Sequence, residues 1–178
     1  PAEAERQVEE VLKANPRSSD GLILSGRMAL ARRNGKDAVQ AFRTVLHDQP
    51  ELATVHYLLG QAHQLTGEIN LAKESFERAV ALYPNQVDAK RSLAVLETRS
   101  GRYGQARTRL DELLKQRPDD LDALDMLMTV DLVTKNWSGA EQTLQRLQAA
   151  VKEHPLVSMA EGRLHQAQGR VDRAIAAY

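Results

Sequence analysis

Cysteine is absent from this 178-residue chain. That removes disulfides, thiolate nucleophiles, zinc ribbons and iron–sulfur ligation together. Aromatic residues make up only 4%. Neither charge sign is in excess, since 24 Lys and Arg face 24 Asp and Glu. A dedicated nucleic-acid binder needs a basic surplus on one face, so that class is set aside. No uninterrupted apolar run approaches the ~20 residues that span a bilayer, so no direct membrane insertion is expected. Hydrophobic residues at 42% and charged residues at 27% rule out a disordered composition. What remains is rich in Ala, Leu, Gln, Glu and Arg, the vocabulary of helices.

A period organises these residues. Pro16, Pro50, Pro84 and Pro118 stand 34 residues apart, and alanine occupies 4, 38, 72, 106, 140 and 174 at the same step. With alanine at roughly an eighth of the chain, six in register arise by chance on the order of once in 10⁴. Four residues after the alanine come Val8, Phe42, Phe76, Leu110, Leu144 and Tyr178. Twelve before it stand Gly26, Gly60, Ala94, Met128 and Gly162. A period of this length means stacked supersecondary units rather than one closed core.

Within a period the texture is helix, turn, helix. From Leu52 to Thr66 the apolar residues Val55, Leu58, Leu59, Ala62 and Leu65 recur at helical spacing, and Gly67 stops the run. A second stretch from Glu68 to Leu82 carries Leu71, Ala72, Phe76, Ala79 and Val80, and ends at Pro84. No segment alternates apolar and polar residues as a half-buried strand does. Gly60 and Ala72 let two facing helices approach closely, with Phe76 filling the space one turn on.

The pattern His56-Tyr57-Leu58-Leu59-Gly60, then His63, Ala72, Phe76, Ala79 and Pro84, resembles the tetratricopeptide repeat (TPR), with its W-x2-L-G-x2-Y…A-x3-F…P consensus. The resemblance covers the whole chain. It implies an all-α, TPR-type α-solenoid of antiparallel helix pairs wound as a right-handed superhelix. In this frame residues 1–18 are the second helix of a preceding repeat, full repeats occupy 19–52, 53–86, 87–120 and 121–154, and 155–178 form a partial fifth. Both ends cut through repeats and lack a polar cap, the pattern of a piece of a longer array whose ends are open to self-association.

Three departures carry expectations. Lys152 stands where proline should, and Pro155 comes three residues late, which predicts a second helix about one turn longer in the fourth repeat. Met128 should push that repeat's helices apart. Gly35, in the column of Ile69, Tyr103, Trp137 and Val171, should leave the first repeat's second helix with less packing at its start.

Chemistry-bearing candidates mostly reduce to structure. His56 and His63 lie two turns apart, ~10 Å, too far to share a metal ion. Gly21, Gly26 and Arg27 imitate a phosphate loop, but Arg27 and Met28 replace its Lys and Ser/Thr, and the segment is helical rather than strand-to-helix. Asp119, Asp120 and Asp122 suit a helix start. Asn136-Trp137-Ser138 fits a glycosylation sequon, while its column places Trp137 in packing. Glu74/Arg78 and Asp111/Lys115 have the spacing of surface pairs. No catalytic, cofactor or metal site is expected.

In TPR proteins the first helices of successive repeats line a concave face that holds a peptide or partner protein. Carried over by column, partner-binding residues would be Asp20 and Arg27, then Tyr57, Gln61 and Gln64, then Asp88 and Arg91, then Asp122 and Asp125, and finally Arg163. Val95, Thr98, Thr129 and Met159 stand in the same lining columns. Arg27, Tyr57 and Arg91 are the strongest, because Arg offers a planar donor fork and Tyr a rigid amphipathic surface; the plain alternative is a solvated helix face. The Lys/Asn clamp of one TPR subclass is not reproduced, since Ile23, Arg27, Gln61, Arg91 and Val95 fill its columns. The texture is similar to arrays in bacterial envelope proteins serving exopolysaccharide synthesis and export, including the cellulose-synthase outer-membrane subunit and TPR lipoproteins of the exosortase (PEP-CTERM) system. Two functions follow as expectations: a non-enzymatic interaction scaffold, or a spacer or self-assembling array that makes contacts through its ends or convex face.

Overall fold

A computed structural model describes residues 2–177; Pro1 and the Tyr178 position of the aromatic column lie outside it, as does the side chain of Ala4 in the alanine column. Among the described residues there are eleven helices and no strand. They are α1 (Ala2–Ala14), α2 (Ser19–Ala31), α3 (Gly35–Asp48), α4 (Ala53–Thr66), α5 (Ile69–Leu82), α6 (Val87–Arg99), α7 (Tyr103–Gln116), α8 (Leu121–Val133), α9 (Trp137–Ala150), α10 (Pro155–Ala167) and α11 (Val171–Ala177). First helices start at 19, 53, 87, 121 and 155, second helices at 35, 69, 103, 137 and 171, so the 34-residue step holds at every start.

The turns explain the regularity. The first or second residue past the first helix is left-handed in each repeat: Arg33 (φ 59), Gly67 (φ 79), Gly101 (φ 71), Lys135 (φ 55) and Gly169 (φ 74). A left-handed residue lets the following N–H groups fold back onto the last carbonyls, closing the helix. Side chains then start the next helix: Asn34 Oδ1 accepts from Asp37 N at 3.3 Å and Asn136 Oδ1 from Gly139 N at 3.3 Å. Asp120 caps α8 by accepting from Ala123 N at 3.0 Å, the role expected of that acidic cluster.

The chain divides into two compact units, residues 1–93 and 94–178. In the first, Ala38 and Ala72 are fully buried beside Phe42 and Phe76. A Cβ built on Gly26 would stand 2.5 Å from the Phe42 ring, and one on Gly60 would stand 2.5 Å from Phe76. Each ring therefore lies directly on its glycine, and Gly21 and Gly26 are helix-packing residues inside α2 rather than part of a phosphate loop. His63, 2% exposed, shares a 2.7 Å hydrogen bond between its Nδ1 and Glu68 Oε2. A 2.7 Å bond donated by Thr66, and after it this one, hold the Glu68 carboxyl below its ordinary range.

The second unit fills the same frame differently. Ala106, Leu110, Ala140 and Leu147 are fully buried, as are Met128 and Asp131. Glu97, 1% exposed, accepts a forked pair from Arg109, Nη2 to Oε1 at 2.7 Å and Nε to Oε2 at 3.0 Å. Asp131 accepts from Arg107 and, at 2.8 Å, from Asn136 Nδ2. Asn136, half-buried, thus uses both ends of its amide internally. Asp111 faces Arg107 at 3.7 Å, not Lys115.

Two expectations are overturned. The fourth repeat's second helix is not lengthened: α9 has 14 residues like α3, α5 and α7. Val151 N closes it on Leu147 O at 2.9 Å, as Gln49, Tyr83 and Arg117 close theirs. The late proline has another use, at the first position of α10 behind His154, where a missing N–H costs nothing. Gly35 is not underpacked either. It is buried, and a Cβ there would stand 2.9 Å from Thr66 Cγ2 and 3.0 Å from Ala62 O. Its column-mates Ile69 and Val171 are 42% and 63% exposed, so the glycine marks a close approach of α3 to α4. In the fourth repeat, the fully buried Met128 is accompanied by a Leu144 that is only half-buried.

Candidate partner-binding face

In the first unit the face is built on α2, α4 and the start of α6. Tyr57 is its centre. Its ring rests against Phe76, with centroids 5.8 Å apart and planes tilted by 42°. Its hydroxyl accepts from Gln61 Nε2 at 2.9 Å. Burial, and then the Asp88 carboxylate, push the phenol pKa up. Arg91 Nη1 lies 3.5 Å from Asp88 Oδ1. The sequence-predicted residues Tyr57, Gln61, Asp88 and Arg91 are therefore brought together. Asp20 and Arg27 are exposed on α2, outside this cluster. Gln64 joins Leu30, Gln61 and Leu65 around a cleft of about 270 Å³.

In the second unit, Asp122 is exposed on α8 and Asp125 half-buried. Arg163 reaches Asp125 from α10, donating through Nη1 to its Oδ1 and through Nη2 to Thr129 Oγ1, both at 2.6 Å. Its fork is spent on bracing α8 against α10. Beside this brace, Val95, Thr98, Arg99, Met126 and Thr129 line a cleft of about 180 Å³. Sequence reasoning placed Val95, Thr98 and Thr129 in the lining but missed Arg99 and Met126. Arg99 lies one position beyond the lining columns, where the second repeat has Leu65; only the cleft that it lines with Met126 reveals it.

Among the described residues no group of three metal-ligating side chains converges, and no helix is long and apolar enough to cross a membrane. His165, half-buried on α10, lies 3.8 Å from Glu161.

Antiparallel helix pairs at a 34-residue step, with a small-residue and aromatic seam between them, define a TPR array. Within that class the chain belongs to the family described as the cytochrome c-type biogenesis protein H TPR domain, whose model matches residues 40–155. A tetratricopeptide-repeat model also matches residues 1–53. Among curated proteins, the chain is 29% identical over 138 residues to "Protein CTR9 homolog" of Arabidopsis thaliana, covering 76% of this chain and 12% of that protein. It is 28% identical over 109 residues to "Cellulose synthase operon protein C" of Pseudomonas fluorescens (strain SBW25), covering 61% of this chain and 8% of the relative. The chain thus spans about an eighth or less of the length of these two relatives. Of solved structures, PilW, a type IV pilus biogenesis factor, superposes with a TM-score of 0.81 at 19% identity, over 99% of this chain and 82% of that one. YrrB, described as a TPR protein with an unusual peptide-binding site, gives 0.75 at 14% identity, over 96% and 88%. At such identity these structures show the fold. TPR proteins are in general non-enzymatic scaffolds, and the fold implies protein partners.

Proposed function

We propose that this chain is a non-enzymatic protein-interaction scaffold that holds a peptide or partner protein against the face made by its first helices. The observation that carries the reading is the cluster of Tyr57, Gln61, Asp88 and Arg91. A half-buried aromatic stands there among the polar side chains of Gln61, Asp88 and Arg91. Such an arrangement offers a rigid anchor at low entropic cost. On this reading Asp20, Arg27, Gln64, Asp122 and Asp125 add polar contacts, Arg163 holds the wall, and the repeats at 19–52, 53–86, 87–120 and 121–154, with the flanking partial ones, work as one array. The likeness to the cellulose synthase operon protein and to the pilus factor, with the family's own description, supports service in a bacterial envelope assembly such as exopolysaccharide export.

The test is a joint Arg27→Ala, Tyr57→Ala, Arg91→Ala substitution in the intact chain, with helicity checked by circular dichroism. Partner capture by crosslinking and pull-down is expected to drop at least tenfold. Capture that survives this change but is abolished by substitutions on exposed Val171 and Ile175 of α11 (63% and 71% exposed) would transfer the function to the second reading, a spacer or self-assembling array.

A further inference from the structure

The clefts of the two units occupy related places in the repeat frame, and their chemistry differs. Gln61 and Val95 stand in one column, Gln64 and Thr98 in the next, Leu65 and Arg99 in the one after. In the first unit the wall presents amide groups. In the second unit the polar atoms of the wall are already consumed. Thr98 Oγ1 donates to Ala94 O at 2.8 Å. Thr129 Oγ1 donates to Asp125 O at 3.0 Å while accepting from Arg163 Nη2 at 2.6 Å. The two threonines therefore offer the cleft their methyl groups, alongside Val95 and the flexible side chain of Met126. Asp125 is neutralised by Arg163. The charge left at the wall is the exposed guanidinium of Arg99, which no described carboxylate pairs with. A cation also suits the end of α6, but helix-end chemistry does not account for an apolar hollow beside it.

From this we infer that the α6–α8 cleft is a specificity pocket for one aliphatic side chain, Leu or Met, carried on an extended segment of a partner protein with Asp or Glu next to it. The inference rests on the scaffold reading and names the sequence such a scaffold selects. Volume decides for a side chain over a small molecule: about 180 Å³ lies below the ~300–1,000 Å³ typical of cofactor and metabolite sites. Charge decides the neighbour, because an unpaired Arg at the rim of an apolar hollow favours a carboxylate and repels Lys.

Three blocked peptides test it against the intact chain by NMR titration: Gly-Ser-Gly-Leu-Glu-Gly-Ser-Gly, and the same frame with Ser-Glu or with Leu-Lys at its centre. The Leu-Glu peptide is expected to shift the amides of Val95, Thr98, Arg99 and Thr129 and the Met126 methyl, saturably, and to bind at least tenfold tighter than either control. Arg99→Glu should reverse the order of Leu-Glu and Leu-Lys. Thr98→Phe, which fills the hollow, should abolish the shifts while the circular dichroism spectrum is retained. The inference is overturned if Leu-Glu and Ser-Glu shift the same residues equally. It also falls if nothing moves there up to about 50 mM peptide, the range in which the ~1.5–3 kcal/mol of burying one aliphatic side chain registers, or if the shifts map to Leu30, Gln61 and Gln64. Those failures would leave the scaffold reading standing as long as the Arg27/Tyr57/Arg91 substitution still removes partner capture.

Discussion

The first unit closes its helix pairs with rings on glycines, whereas the second closes them with aliphatic side chains and buried charge. One column shows the contrast. His63 is buried against Glu68 in the first unit; Glu97 and Asp131, at successive steps of 34, are buried against Arg109 and Arg107 in the second. A shared period thus fixes where helices begin and end but leaves the chemistry between them open. In the first unit the seam is mostly dispersion and area burial, tolerant of pH and salt. In the second it depends on forks whose removal leaves an opposite charge stranded.

Substitutions in each unit break the comparison in order of size. Phe76→Ala empties the space over Gly60 and should lower stability by about 3–5 kcal/mol, read by denaturant unfolding. Its loss of amide protection should be greatest in α4 and α5 by hydrogen exchange. Glu97→Ala should cost about 2–4 kcal/mol, towards the lower end for a broken buried pair because Arg109 keeps some solvent; here protection should fail in α6 and α7. Equal losses in all four helices from either change would erase the distinction between the units. Ala106→Leu, at a fully buried position, should cost about 1–3 kcal/mol by overpacking. A loss within error would mean that the seam of the third repeat yields.

Smaller effects sharpen the picture. Lys135→Gly and Arg33→Gly relieve a left-handed backbone that glycine adopts freely, and each should raise stability by about 1 kcal/mol. Gly67→Ala, at φ 79, should lower it by a similar amount. Tyr57 should titrate above the ~10 of a free phenol when followed by ultraviolet absorbance. With the folded value raised, its contribution is complete below the unfolded pKa and declines as pH rises through the folded one. A Tyr57 that ionises at or below ~10 would contradict its half-buried place beside Asp88.

Helix positions were legible because the alanine column and the glycines at 67 and 101 mark the same step. The left-handed turn at Arg33 and Lys135 was not legible, since a non-glycine residue in that conformation leaves no compositional trace. Proline misled for a related reason. In sequence Pro155 looks like a terminator, although proline serves equally at a helix's first position. Gly35 looks like missing bulk, yet it marks a close approach. Of the proposed face, column position sets Tyr57, Gln61, Asp88 and Arg91 at places where their side chains stand close together. It could not foretell that Arg163 is tied to Asp125 and Thr129, because that bond runs between side chains 38 and 34 residues apart. Glu97 and Asp131 escaped notice because a charged residue in sequence looks like surface until its partner is seen.

The opposed sizes along the seam have a consequence for how the chain folds. Gly26 is matched to Phe42 and Gly60 to Phe76, while the same places hold Ala94 and Leu110, then Met128 and Leu144. A hairpin that mistakenly recruited the partner belonging two repeats away, Met128 with Phe76 or Gly60 with Leu144, would meet a collision in the first case and a void in the second. Graded bulk therefore works as a lock-and-ward set between the Gly/Phe hairpins and the Met/Leu one, guarding a periodic chain against swapped pairing between them.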